Sequence, residues 1–244
     1  MKLNFEELGK RLRALFARQG YTCDCCGVEI FDYPNSRVCK DCNELTKIET
    51  PRCKKCGRKT ITEGVCLTCK RQTPTFDVGI SPLSYEDMMA SMINRFKNGE
   101  RYLSEFFAER MVEALENSVR FSKDLLVVCV PMTKDKRLER GYNQAEELAQ
   151  SISQRLGLAF DSEVLEKRKE TSEQKHLARK ERQENVKTAF LVHKRTVVRD
   201  RDILLIDDIM TTGATGNACA RVLKNAGANK VIFLTAVSLN EQKR

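Results

Sequence analysis

Between Ile203 and Thr215 the chain reads Ile-Leu-Leu-Ile-Asp-Asp-Ile-Met-Thr-Thr-Gly-Ala-Thr. A buried strand over Ile203–Asp207 ends in two adjacent carboxylates, Asp207 and Asp208. A short hydroxyl-rich turn follows, in which Gly213 permits an unusual backbone angle. A helix then begins, expected over Ala214–Ala226 and followed by a strand over Lys230–Ala236. Strand, tight turn, helix and strand in this order commit this part of the chain to an α/β fold with a parallel sheet and right-handed crossovers.

The same alternation extends upstream. Asp77–Ser84 can form a strand, and Met89, Met92, Ile93 and Phe96 make a helical stripe, as do Phe106, Phe107, Met111 and Leu115. Leu125 to Val130 reads as a strand buried on both faces and stopped by Pro131. Ala145, Leu148, Ala149, Ile152 and Leu156 mark another helix. A very polar stretch, Lys167 to Lys187, interrupts the pattern before Ile203. Residues 76–244 are therefore expected to form one α/β domain, a parallel sheet flanked by helices. Ahead of it, residues 1–20 read as a basic amphipathic helix. Phe5, Leu8, Leu12, Leu15 and Phe16 share one face, with Lys10, Arg11, Arg13 and Arg18 elsewhere. Docking on its own protein is the first expectation for that helix, and peripheral contact with a membrane surface or a partner is the alternative.

Residues 21–72 carry no long apolar run, so a conventional core cannot hold them. They do carry Cys23/Cys26, Cys39/Cys42, Cys53/Cys56 and Cys66/Cys69, four pairs whose two-residue gap lets both thiolates of a tight turn reach one zinc ion. The first and third pairs continue with Gly27 and Gly57. Two successive ribbons, each holding one structural zinc, fit this doubled pattern. A cross-braced arrangement is the less favoured pairing, and redox-active thiols or disulfides are the other chemistry open to such pairs. Cys25 could compete with Cys26 for the metal. Cys129 and Cys219 lie in apolar patterns and read as ordinary buried cysteines. His176 and His193, in polar surroundings, read as solvated side chains.

No apolar run approaches the roughly 20 residues that span a bilayer, and the first residues lack a secretory signal's apolar stretch. A cytoplasmic protein is the default. The net charge of +9, from 43 Lys and Arg against 34 Asp and Glu, favours polyanionic partners. A well-solvated surface of mixed charge explains it equally well.

The turn after Asp208 has a chemistry of its own. Free amides and the positive dipole end of the helix meet there, aided by the hydroxyls of Thr211, Thr212 and Thr215, which makes an anion site for a phosphate. Two acceptor carboxylates beside it suit the vicinal hydroxyls of a ribose. The plain alternative is a capped helix with a solvated Asp pair.

These residues resemble the diphosphoribose-binding signature of the type I phosphoribosyltransferases over Leu204–Thr215. A closer likeness adds Pro131 to Ala145, read as Pro-Met-Thr-Lys-Asp-Lys-Arg-Leu-Glu-Arg-Gly-Tyr-Asn-Gln-Ala. It resembles the segment after the first core strand in the ComF/GntX family, as do Thr171, Gln174, Leu177, Arg182, Asn185 and Phe190. With the amino-terminal cysteine pairs the likeness covers nearly the whole chain.

The resemblance implies a phosphoribosyltransferase-like domain that binds phosphoribosyl diphosphate with magnesium, the acceptor unnamed. Asp207 and Asp208 would be the catalytic pair on the ribose hydroxyls. Met210, Thr211, Thr212, Gly213, Ala214 and Thr215 would line the 5-phosphate. Lys134, Lys136, Arg137 and Arg140 would offer cations to the diphosphate, Asn143 and Gln144 hydrogen bonds, and the 167–187 stretch a lid. The resemblance further implies a role in natural competence at the inner face of the membrane, with single-stranded DNA and a ComFA-type helicase as partners. Three readings stay open at this point: a transferase, a non-catalytic phosphoribosyl diphosphate sensor or scaffold, and a zinc-ribbon binder of nucleic acid.

Overall fold

The computed structural model describes residues 22–31, 36–48, 50–167 and 189–240. The helix expected over 1–20, all of the lid expected over Lys167–Lys187 except Lys167, and with it Thr171, Gln174, His176, Leu177, Arg182 and Asn185, lie outside these residues. The chain divides into two compact units, Met1–Lys47 and Ile48–Arg244.

The first unit is a ribbon. Thr22 bridges Glu29 across the turn of Cys23 and Cys26, and helix α1 (Lys40–Leu45) follows Cys39, whose sulfur accepts from the Cys42 amide. The second unit opens with another such turn, in which Arg52 bridges Lys59, and closes it with helix α2 (Leu67–Arg71). The sheet domain then begins within the same unit.

That domain contains strands β1 (Val78–Ile80) and β2 (Leu83–Ser84), helices α3 (Asp87–Lys97) and α4 (Leu103–Ser118), and strand β3 (Leu126–Cys129). Helices α5 (Lys134–Arg140) and α6 (Gln144–Leu156) lead to β4 (Ala159–Phe160). An antiparallel pair, β5 (Leu165–Lys167) and β6 (Phe190–Val192), stands apart from the main sheet. The short helix α7 (Arg195–Val198), strand β7 (Asp202–Met210), helix α8 (Ala214–Asn225) and strand β8 (Lys230–Ser238) complete the described fold.

The main sheet is parallel throughout, in the order β1-β8-β7-β3-β4, with β2 continuing beside β8 where β1 ends. Its apolar positions are those the sequence pattern marks. Met89, Met92, Ile93 and Phe96 of α3, and Phe106, Phe107, Met111 and Leu115 of α4, are all buried, as is every residue of β3. Helix α8 can lie close to the sheet because residue 216 is glycine; a Cβ there would stand 2.4 Å from the Phe233 ring.

Three elements depart from the expectations. Ser81-Pro82 splits the strand expected over Asp77–Ser84 into β1 and β2, because Pro82 has no N–H to give a ladder. The basic segment after Pro131, where the resemblance implies a diphosphate-binding loop, forms the two-turn helix α5, stopped by Gly141 at φ 83°. Strand β7 runs past Asp207 to Met210, since β8 offers partners as far as Ser238.

Connectivity fixes where a ligand can enter. From β3 the chain crosses through α6 to β4 on one side, and from β7 it crosses through α8 to β8 on the other. Right-handed crossovers in opposite directions put α6 and α8 on opposite faces. The carboxyl ends of β3 and β7 therefore splay a crevice between them, the switch point at which open α/β sheets bind ligands.

The second cysteine turn seals the opposite edge of the sheet. Gly79 of β1 donates its N–H to Lys55 O at 2.8 Å, so the turn covers an edge that would otherwise carry unpaired backbone groups. The approach needs two glycines. A Cβ on Gly57 would meet Gly79 O and Ile80 Cα at 2.7 Å, and one on Gly79 would meet Cys56 Cα at the same distance. Arg52 adds hydrogen bonds to Gly57 O and Pro82 O.

Candidate functional site

A cleft of about 270 Å³ opens at the switch point. From β3 and its sequel it receives Val130 to Thr133, Lys136, Arg140 and Asn143 to Ala145. From β7 and its sequel come Asp207, Asp208, Ile209, Thr211 and Thr215. Two cations arrive from elsewhere: Lys97, at the end of α3, and Lys167, at the end of β5. Four basic side chains thus face two carboxylates.

The acidic pair sits where the sheet runs out. Lys97 Nζ lies 3.2 Å from Asp208 Oδ2, and the Asp208 amide donates to Asp207 Oδ1 at 2.9 Å. Asp207 is half-buried and lines the cleft. That burial, reinforced by the Asp208 charge, raises its pKa well above the usual carboxylate range, against the pull of the Asp208 amide and Lys97.

Beyond Met210 the chain turns through Thr211 and Thr212, both exposed, to Gly213, which takes the left-handed conformation at φ 82° and caps α8. Thr212 Oγ1 accepts the Ala214 amide at 3.1 Å. The amides of the first turn of α8 have no partner within the helix, so they and the hydroxyls of Thr211 and Thr215 make a polar cradle at its positive end.

On the other wall Asn143 is a brace. Its Nδ2 donates to Val130 O at 3.1 Å and its Oδ1 accepts the Ala145 amide at 3.2 Å, so it caps α6 and ties that helix to the end of β3. Gln144 Oε1 accepts from Arg140 at 3.1 Å, which directs that guanidinium along the cleft. Arg137 turns away to Glu146 Oε2 at 2.8 Å, and neither Arg137 nor Lys134 lines the cleft. Of the residues singled out in the sequence, Asp207, Asp208, Thr211, Thr215, Lys136, Arg140, Asn143 and Gln144 are brought together there, whereas Thr212, Gly213 and Ala214 do not line it. Met210 is buried beneath the loop, with its carbonyl accepting the Leu239 amide. Lys97 carried no local signal, since it is an ordinary basic residue ending its own helix, whereas Lys167 opens the stretch expected as a lid.

Both cysteine sets are assembled as adjacent pairs. The sulfurs of Cys23, Cys26, Cys39 and Cys42 lie within 4.8 Å of one another, as do those of Cys53, Cys56, Cys66 and Cys69. Cys26 and Cys39 are 3.8 Å apart and Cys56 and Cys66 3.7 Å. Four sulfurs each at about 2.3 Å from a central ion are separated by about 3.8 Å, and a disulfide would need about 2 Å. Amides of Cys66 and Lys55 point at Cys53 Sγ at 3.3 and 3.4 Å. A hydrogen bond from the Cys56 thiol and these amides lower the pKa of Cys53 against burial, while the same hydrogen bond raises that of Cys56 and burial that of Cys69; it is the spacing of the four sulfurs that fits a metal. Either set can therefore hold a metal ion. Cys25 stays out of the first, its thiol pushed up to about 12 by burial. Cys129 and Cys219 are buried, and His193 is exposed beside Glu166.

Residues 110–244 match the family of the phosphoribosyl transferase domain. The chain is 31% identical over 207 residues to Competence protein ComFC of Streptococcus pneumoniae, covering 81% of this chain and 86% of that protein. It is 28% identical over 200 residues to Competence protein F of Haemophilus influenzae, covering 80% and 87% respectively. The DNA utilization protein YhgH of Escherichia coli K12 is 26% identical over the same length and coverage.

Proposed function

This chain belongs to the ComF/GntX family of competence proteins, built on a phosphoribosyl transferase domain, and from that premise we propose that its cleft binds phosphoribosyl diphosphate and transfers the phosphoribosyl group. One observation carries the reading. The paired carboxylates and the hydroxyl-rich loop open into a single cleft with cations from three other segments, at the switch point of the sheet.

In this reading the loop amides and the Thr211 and Thr215 hydroxyls hold the 5-phosphate, while Asp207 and Asp208 accept hydrogen bonds from the two ribose hydroxyls. Lys136, Arg140 and Lys97 face the diphosphate. During transfer the bond from the anomeric carbon to the diphosphate oxygen breaks, the acceptor forms its bond to that carbon, and diphosphate leaves with the electron pair. These basic side chains neutralise the charge that develops on it. Magnesium, when bound with the donor, adds further neutralisation of the diphosphate. Ionised Asp207 is a better acceptor than the acid its surroundings favour, and the Lys97 ammonium beside Asp208 favours that ionised form.

The cysteine sets hold one structural zinc each; four thiolates leave no open coordination position for chemistry. The relatives named for competence and DNA utilisation support a role in DNA uptake, and the net charge of +9 suits a partner such as single-stranded DNA. No helix among the described residues is long and apolar enough to cross a membrane.

Calorimetric titration of phosphoribosyl diphosphate with magnesium into zinc-loaded protein tests the reading. Wild type should bind, and the double variant Asp207→Asn, Asp208→Asn should lose about 100-fold or more in affinity, the scale of two lost charge-assisted hydrogen bonds. A folded wild type that takes up no donor overturns it.

A further inference from the structure

The two ribbons repeat each other at an offset of 30 residues, as Cys23, Cys26 and Gly27 become Cys53, Cys56 and Gly57. The backbone repeats too. Cys23 N donates to Val28 O at 2.7 Å and Cys53 N to Arg58 O at 2.8 Å, while Gly27 and Gly57 return their amides to Cys23 O and Cys53 O at 2.8 and 2.9 Å. Valine and arginine therefore serve equally well in the turn itself. Their surroundings differ: Val28 is 52% exposed and Arg58 is 2% exposed. The turn does not call for the arginine, so its reason must lie elsewhere.

Arg58 reaches from the ribbon to the candidate phosphate loop, where its guanidinium donates to Thr211 O. No described residue gives it an ion pair, and its Nε has no acceptor among them. A buried guanidinium without counter-charge is costly. The backbone of the same residue meets the second cysteine set, because the Arg58 amide points at the Cys56 sulfur. A divalent ion within four thiolates leaves the cluster a net dianion two residues from the guanidinium.

The contact also sets the loop's orientation. The peptide bond is planar and trans, so a Thr211 carbonyl held toward Arg58 sends the Thr212 N–H the opposite way, out of the ribbon's side. Pinned from behind by Arg58 and from within by the Thr212 hydroxyl on Ala214, the loop presents its amides in one arrangement.

We propose that Arg58 is a positioning residue that ties metal occupancy of the Cys53, Cys56, Cys66 and Cys69 set to the shape of the Thr211–Thr215 loop. Anion binding by the loop then depends on metal in this set and not on metal in the first. The consequence for the donor rests on the cleft being a phosphoribosyl diphosphate site, whereas the response of the loop can be read without that.

The test follows hydrogen–deuterium exchange across the loop in the full chain, alongside titration with phosphoribosyl diphosphate and magnesium and a colorimetric count of released zinc. Arg58→Met should keep the wild-type zinc content, speed exchange in the loop about ten-fold and weaken donor binding about ten-fold, the loss expected of one buried charge-assisted hydrogen bond. Cys66→Ser should reproduce both changes, and Cys39→Ser should lose metal while the loop exchanges as in wild type. Wild-type exchange and affinity in a zinc-replete Arg58→Met overturn the proposal. Should that variant fail to fold, the contrast between Cys66→Ser and Cys39→Ser decides, equal loop exchange in the two counting against it. If exchange follows Arg58 and the second set while even wild type ignores the donor, the donor-site reading falls and the tie to the metal stands.

Discussion

Asp207 and Asp208 are adjacent in sequence but differ in circumstance. Asp208 has Lys97 at 3.2 Å, whereas Asp207 is enclosed and disfavours its own ionisation. A carboxyl whose pKa is raised on folding is compatible with stability only as the acid. Below the ordinary carboxylate range it carries no penalty; as pH rises from there through its folded value, the cost of an enclosed charge grows and stability falls. Asp207→Asn should therefore raise the midpoint of thermal unfolding by a few degrees at pH 7 to 8, about 1 kcal/mol, with the gain vanishing near pH 3. Melts across that pH range check this, and a variant less stable than wild type at pH 8 would contradict the burial argument. Tightened folding at the expense of ligand binding is what a working site gives when its unfavourable charge is removed.

Among the elements, the two cysteine turns offer a comparison within one chain. Gly27 and Gly57 have nearly equal dihedrals, φ 77° and 73°, but a Cβ on Gly27 meets nothing within 4 Å, whereas one on Gly57 runs into the backbone of β1. Gly27→Ala should cost about 1 kcal/mol, the penalty of the left-handed conformation alone. Gly57→Ala should cost about 3 kcal/mol or more, because two backbones must move apart. Chemical denaturation of the two variants separates these, and equal losses would mean the turn does not hold the sheet edge as described. The same reasoning explains why β1 can be only three residues long: the Lys55 carbonyl satisfies its outer edge.

At the scale of the whole molecule, the division of the chain places the second cysteine set in one unit with the sheet and the first in another. Metal bound in the second set would then add to that unit's own stability, since binding free energy at a folded site is folding free energy. Scanning calorimetry should show Cys66→Ser lowering the main transition, while Cys26→Ser leaves that transition near its wild-type temperature. Identical shifts in both variants would count against two separate units.

Much of this was legible in the sequence, for reasons that are local. Spaced cysteine pairs, an apolar run that ends in two carboxylates, and a glycine before a helix each fix their chemistry within a few residues, so the metal sets, the loop and the parallel-sheet class could be read directly. The burial of Met89, Met92, Ile93 and Phe96 followed from their spacing on one helix face. Other features are relations between distant residues, and no window of sequence carries them. Lys97 meets Asp208 because α3 ends beside the carboxyl edge of β7. Arg137 was indistinguishable from Arg140 until α5 coiled and gave one to Glu146 and the other to Gln144. Arg58 reads as one more basic residue in a charged turn, and only the packing of the second ribbon on β1 brings it to Thr211. The sequence alone determined which chemistry is present, because residue type and short spacing suffice for that; the tertiary structure decided which groups share a cleft, because that depends on where the chain crosses over and what its glycines allow to touch.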